Sequence, residues 1–184
     1  MNQRDPIDPS RLVPAPRKLE KRERAQEGRR CLVAVDGSAA GFQPLVWALR
    51  HAIVHDMTVE VMTVWPSHGS ALVHEVPGHF CAPRWSARDA QRDVVRRALE
   101  QVPTGSVIAT RLENGHVVET IVRASDRCDL VVLGATPNQG PQNLSTHIAR
   151  QAHCPVALVD ACGEVFMTSG RRAVRGTGSP LPVR

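Results

Sequence analysis

GHVVETIVRASDRCDLVVLG, residues 115–134, contains a glycine turn, a striped helix and an apolar strand. Val117, Val118, Ile121 and Val122 recur at helical spacing, so HVVETIVRAS predicts a helix with one buried side. DLVVLGA (129–135) shows no polar alternation, the profile of a strand covered on both faces. A helix feeding a doubly buried strand is half of a βαβ unit, and the rest of the chain repeats it.

Towards the amino end, CLVAV (31–35) is again apolar throughout and stops at Asp36-Gly37-Ser38, a turn signal. FQPLVWALRHAI (42–53) spaces Leu45, Val46, Leu49, Ala52 and Ile53 along one helix face, with Pro44 tolerated in the first turn. TVEVMTVW (58–65) predicts a second strand, and 66–85 a long loop. SARDAQRDVVRRALEQV (86–102) predicts a helix opened by a capping box of Ser86 and Asp89. VIATRLE (107–113) predicts a third strand, and a helix near 145–153 leads into a fifth strand, PVALV (155–159). Strands alternating with helices require right-handed crossovers between parallel neighbours. The expected fold is α/β and Rossmann-like: an open five-stranded parallel sheet, order 3-2-1-4-5, with helices on both faces.

Composition bounds the function. Apolar residues are 42% of the 184, but aromatics are 3% and tyrosine is absent, so the core must be aliphatic. The formal charge of +5 invites a nucleic-acid reading until it is divided along the chain. Residues 1–30 hold nine Lys/Arg against five Asp/Glu, residues 161–184 four against one, and residues 31–160 ten against twelve. The positive excess belongs to the ends, so nucleic acid and membrane are not expected partners. Lys18 and Lys21 are the chain's two lysines, which leaves the central region without a P-loop lysine or a Schiff-base amine. Residues 1–29, with four prolines in the first sixteen, predict a disordered arm; 161–184, rich in Gly, Pro, Ser and Arg, a disordered tail; 30–160, the folded domain. Five cysteines without a C-x-x-C pair, no signal-peptide pattern and no long apolar run predict a soluble cytoplasmic protein with reduced thiols.

Three stretches resemble the universal stress proteins: VAVDGS (33–38), GHVVETIVRASDRCDLVVLG (115–134) and CPVALV (154–159). They occur in the family's order and span about residues 30–160. The resemblance implies a five-stranded parallel sheet, adenine-nucleotide binding (ATP or AMP) and a homodimer formed through the last strand. It also implies that Asp36 lies near the adenosine, that backbone around Val64–Trp65 holds the adenine, and that a loop after strand four holds phosphates. In the family that loop follows G-x2-G-x9-G-(S/T). Counting from Gly134 puts Pro137 at the second glycine and His147-Ile148 at the Gly-Ser pair; counting back from CPV puts Gln142 and Asn143 there instead. Pro137 and Pro141 lack N–H groups, so a cradle working by backbone donation is weakened. Gly134, Gly140, Asn143, Ser145 and Thr146 remain as candidate phosphate contacts at a helix amino terminus.

Each candidate also has a purely structural explanation. Asp36 before Gly37 is a common turn former, and Ser145 and Thr146 are common helix caps. His51 and His55, four apart on a helix, could chelate a metal but lack a third ligand, so a solvent-facing pair is expected. His74, His79 and Cys81 raise a thiol or metal sensor as a further alternative. No Ser-His-Asp order, carboxylate pair or nucleophile elbow can be assigned, so the expectation is a regulatory module and not an enzyme. The competing expectation is a dimeric interaction module without nucleotide. Val156–Val159 reads as an apolar sheet edge that a second copy would cover through residues 155–159.

Overall fold

Strands β1 (Arg29–Ala34) and β4 (Leu130–Gly134) lie side by side near the middle of the sheet, as their unbroken apolar runs require. The computed structural model describes residues 28–65, 81–102, 108–135 and 143–170. With β2 (Met57–Trp65), β3 (Ile108–Asn114), β5 (Val156–Val159) and β6 (Val165–Thr168), the sheet order is β3-β2-β1-β4-β5-β6. β1 through β5 are parallel and follow the expected order 3-2-1-4-5.

Alternation along the strands divides the core in two. Val33, Val61, Val132 and Val159 face helices α1 (Phe42–His55) and α2 (Ala82–Gln101). Leu32, Met62, Val131, Leu133 and Val156 face α3 (Val117–Ser125) and α4 (Leu144–Gln151). Burial of one aliphatic side chain contributes about 1.5–3 kcal/mol, and β1 and β4 supply such side chains to both layers. Among the described residues no helix is long and apolar enough to cross a membrane.

The structure corrects three expectations. The sheet has six strands, because β6 pairs antiparallel with β5 from Val156↔Thr168 to Val159↔Val165. Residues 165–168 therefore belong to the sheet and not to a tail. Consequently β5 is not an edge: Ala157 and Val159 are fully buried, and β3 and β6 form the two margins among the described residues. The hairpin is built by Asp160, whose Oδ1 accepts the N–H groups of Cys162 (2.8 Å) and Glu164 (2.9 Å), while Gly163 adopts φ 86°. That is the geometry of a three-residue hairpin loop with glycine at the left-handed position.

The third correction concerns α2, which begins at Ala82 and not at Ser86. Pro83 fits the first turn, where its missing N–H costs nothing, and Trp85 N–H donates to the Cys81 carbonyl at 3.1 Å. Ser86 and Asp89 thus lie inside the helix and cap nothing. The 1–27, 66–80, 103–107, 136–142 and 171–184 stretches, including most of the predicted arm and loop, lie outside the described residues.

Past β6, Gly170 is buried, and a Cβ placed on it would run into the Cys154 backbone. Gly170→Val should therefore destabilise the fold by about 1–3 kcal/mol, lowering Tm by roughly 2–4 °C per kcal/mol. Calorimetry measures this, and an unchanged Tm would mean that the end of β6 is not docked on Cys154.

Candidate functional site

The ladder between β1 and β2 closes with Val35 N–H donating to the Met62 carbonyl at 2.9 Å. β2 continues to Trp65, paired beyond that point only with β3. In a parallel strand the N–H and C=O of one residue point to the same side, and that side alternates along the chain. Met62 points at β1, so Val64 points the same way, into the space where β1 has ended. Val64 main chain is thereby presented at the carboxyl edge of the sheet, the usual ligand position of open α/β folds.

The chain leaves β1 through Asp36 and Gly37. Asp36 Oδ1 accepts the Ser38 N–H at 2.9 Å, and Gly37 has φ 82° with its Cα against Ala90 of α2, where a Cβ would collide. Glycine is required here both by the backbone angle and by the approach. Opposite, a Cβ on Gly134 would sit 3.1 Å from the Ala40 carbonyl oxygen, so Gly134 lets the turn before α1 close over the end of β4.

α4 opens at Asn143, whose side chain accepts the Ser145 N–H at 3.1 Å. The Ser145 hydroxyl donates to the Gly134 carbonyl at 2.7 Å. Two donors that could have met an anion at this helix start are consumed within the protein.

These pieces enclose a cavity of about 310 Å³, floored by Met62, Ile121, Leu133 and Ile148. Asp36, Val64, Gly134, Asn143 and Ser145 line it together, whereas Thr146 does not. Gly140, with Pro137 and Pro141, lies outside the described residues. Ala40, Gly41, Val117 and Leu144 complete the wall and were not singled out from sequence. Their apolar spacing is the same whether a residue faces core or ligand. Among the described residues that line it, Asp36 is the sole ionisable group, and no Lys, Arg or His accompanies it. This described lining therefore suits an uncharged, hydrogen-bonding body better than a multiply charged one.

The alternative metal and thiol sites are less developed. His51 stacks on Trp47 (4.6 Å) and leans on His55 (4.1 Å). Burial, with His55 and Arg29 nearby, lowers the His51 pKa. His74 and His79 lie outside the described residues, and Cys81 caps α2. Among the described residues no group of three or more His, Cys, Asp or Glu could hold a metal. Cys31, Cys128 and Cys154 are buried. Burial, reinforced by Cys128 and Cys154, pushes the Cys31 thiol up to about 12. Burial and then Cys154 push Cys128 up to about 12 as well. Such thiols stay protonated and are poor nucleophiles.

Comparison with known proteins gives one family. The model of the universal stress protein family matches residues 28–160. Among solved structures, a universal stress protein in complex with cAMP is 19% identical at TM-score 0.53, over 73% of this chain and 98% of its own. UspA from Lactobacillus plantarum is 23% identical at TM-score 0.51, over 71% and 96%. An Arabidopsis thaliana family protein with AMP bound is 19% identical at TM-score 0.51, over 72% and 91%.

The thiol pattern is directly measurable. In native protein, Cys81 and Cys162 should react with a disulfide reagent at neutral pH, and Cys31, Cys128 and Cys154 only on unfolding. Cys31 and Cys128 ionise higher in the folded than in the unfolded chain, where thiols titrate near about 8.5. Their contribution to stability is therefore intact below that pH and lost as pH rises toward about 12. Denaturant midpoints that do not fall between pH 8 and 11 would contradict this.

Proposed function

Because the chain belongs to the universal stress protein family, we propose that it is a regulatory module whose groove takes an adenine nucleotide by its nucleoside half. The observation that carries this reading is that the Val64 main chain, turned toward the end of β1, and Asp36 line one largely apolar cavity. Adenine offers a flat apolar body with donor and acceptor edges, which the Val64 N–H and C=O can meet. Asp36 spends Oδ1 on the Ser38 N–H and can accept a ribose hydroxyl through Oδ2. Solved relatives carry cAMP or AMP, ligands with one phosphate, which supports the size of ligand proposed.

The grip on phosphate is weak in this reading. The described lining residues include no cation, Ser145 N–H and O–H are both engaged, and Pro137 and Pro141 have no N–H to donate. A hydrogen bond to a charged group is worth about 1.5–3 kcal/mol, so losing two weakens binding by roughly two to four decades. ATP should thus bind hardly better than AMP. The five cysteines, none of them in a disulfide, suit a reducing cytoplasm as the compartment of this module.

We further propose that the module is a homodimer whose contact is the edge of β6 instead of β5. Phe166 and Met167 are 58% and 57% exposed on β6, which among the described residues has a strand neighbour on its β5 side alone, and antiparallel pairing of two β6 strands would cover that margin.

Thermal unfolding tests the nucleotide reading. AMP at a hundred times its dissociation constant should add about 2.7 kcal/mol of stability, a rise of roughly 5–10 °C that Asp36→Ala abolishes. A much larger response to micromolar ATP than to AMP would disprove the weak phosphate grip. No response to any adenine nucleotide at millimolar concentration would favour the ligand-free interaction module.

Light scattering tests the dimer. The full chain should have dimeric mass at micromolar concentration, and Phe166→Lys with Met167→Lys should raise the dissociation constant by about tenfold or more. A monomeric full chain would refute it.

A further inference from the structure

Helix α1 ends in a pair of histidines that the cavity beside Asp36 does not use. His51 and His55 stand four residues apart, so both side chains project from one helix face with Cβ atoms about 5–6 Å apart. Their rings have drawn closer still: the centroids are 4.1 Å apart and the planes tilt by 43°. On the other side of His51 lies Trp47, stacked at 4.6 Å with the planes 19° apart. Trp47 thus holds the His51 ring in place, and His55, which is exposed, is the ring that can turn toward it.

The pair is well separated from the cavity. Ala40 and Gly41, just ahead of α1, belong to the cavity wall, whereas His55 is the last of the 14 residues of the helix. At about 1.5 Å per residue the two ends are roughly 20 Å apart. The carboxyl end of a helix is the negative end of its dipole and favours a cation. Arg29, near His51, works against one, so the attraction has to come from the ring nitrogens themselves.

We propose that His51 and His55 form a two-histidine site for a late first-row divalent metal ion. Imidazole nitrogen suits Cu²⁺, Ni²⁺ and Zn²⁺, whereas Mg²⁺ and Ca²⁺ take oxygen. Nitrogens at about 2.0–2.1 Å from one ion bring two rings to roughly 4.5–5 Å between centroids. From the 4.1 Å already present, that needs an opening of less than about 1 Å. Among the described residues no group of three or more His, Cys, Asp or Glu could hold a metal, so the described chain supplies two imidazoles and water takes the other positions. Such a site exchanges its ion readily, unlike a closed four-ligand one. The spacing exists only while α1 is wound, so the site belongs to the folded chain.

Ni²⁺, which does not oxidise thiols, is the probe, added to the full chain and followed by NMR of the histidine rings. Its unpaired electrons broaden signals close to it. The His51 and His55 ring signals should broaden before those of the other histidines, at micromolar Ni²⁺, while Mg²⁺ at the same concentration leaves them unchanged. His55→Gln should weaken Ni²⁺ binding, measured by calorimetry, by at least about tenfold. The order of broadening is read on the unaltered protein and does not depend on the variant folding. Three results would overturn the proposal: His51 and His55 signals that stay sharp at millimolar Ni²⁺, other histidines that broaden ahead of them, or equal affinity in His55→Gln.

Discussion

Strand β1 ends at Ala34 while its neighbour β2 runs on to Trp65, and the groove, the exposed main chain of Val64 and the turn at Gly37 all follow from that inequality. Had β1 continued, Val64 would be an ordinary rung of the ladder. The chain can leave so abruptly because Gly37 tolerates φ 82° and lets α2 approach at Ala90. Across the gap, Gly134 gives the Ala40 carbonyl room to close the end of β4. Two glycines without charge or catalytic chemistry thus set the width of the cavity.

The doubly buried strands were legible because their pattern has a single physical cause, cover on both faces. α3 was legible from four valine and isoleucine positions at helical spacing. The start of α2 was misjudged because Ser86 and Asp89 form a genuine capping pattern that the helix absorbs, while Pro83, a usual first-turn residue, looked like part of a loop. β6 was missed because four residues in a Gly- and Arg-rich region carry little periodicity. The available signal was Asp160 followed three positions later by Gly163, which specifies a tight turn and so a returning strand. Of the residues that line the cavity, Asp36, Gly134, Asn143 and Ser145 stand out in the sequence by residue type. Val117 and Ile121 do not, because apolar periodicity does not distinguish the wall of a cavity from core.

The two margins of the sheet differ in character. At β3 the neighbouring helix presents arginines, and at β6 the strand presents Phe166 and Met167. Five strand spacings of about 4.8 Å separate them, roughly 24 Å, with the cavity beside Asp36 between. At that separation events at one margin reach the other only through the shared sheet, so perturbations at the two should be close to additive.

The β5–β6 hairpin has a consequence for how the molecule opens. Every other strand pair joins segments far apart in the chain, whereas β6 returns to β5 through the five residues 160–164 and needs no crossover helix. Its loop-closure entropy is small, and it adds nothing to the parallel ladder from β3 to β5. The hairpin can therefore fray as a unit while the core remains shut, a local excursion costing less than global unfolding. Amide protons of β6 should then exchange with solvent through a route closed to β1 and β4. In its open form, the fold momentarily regains the five-stranded parallel sheet with a bare β5 margin.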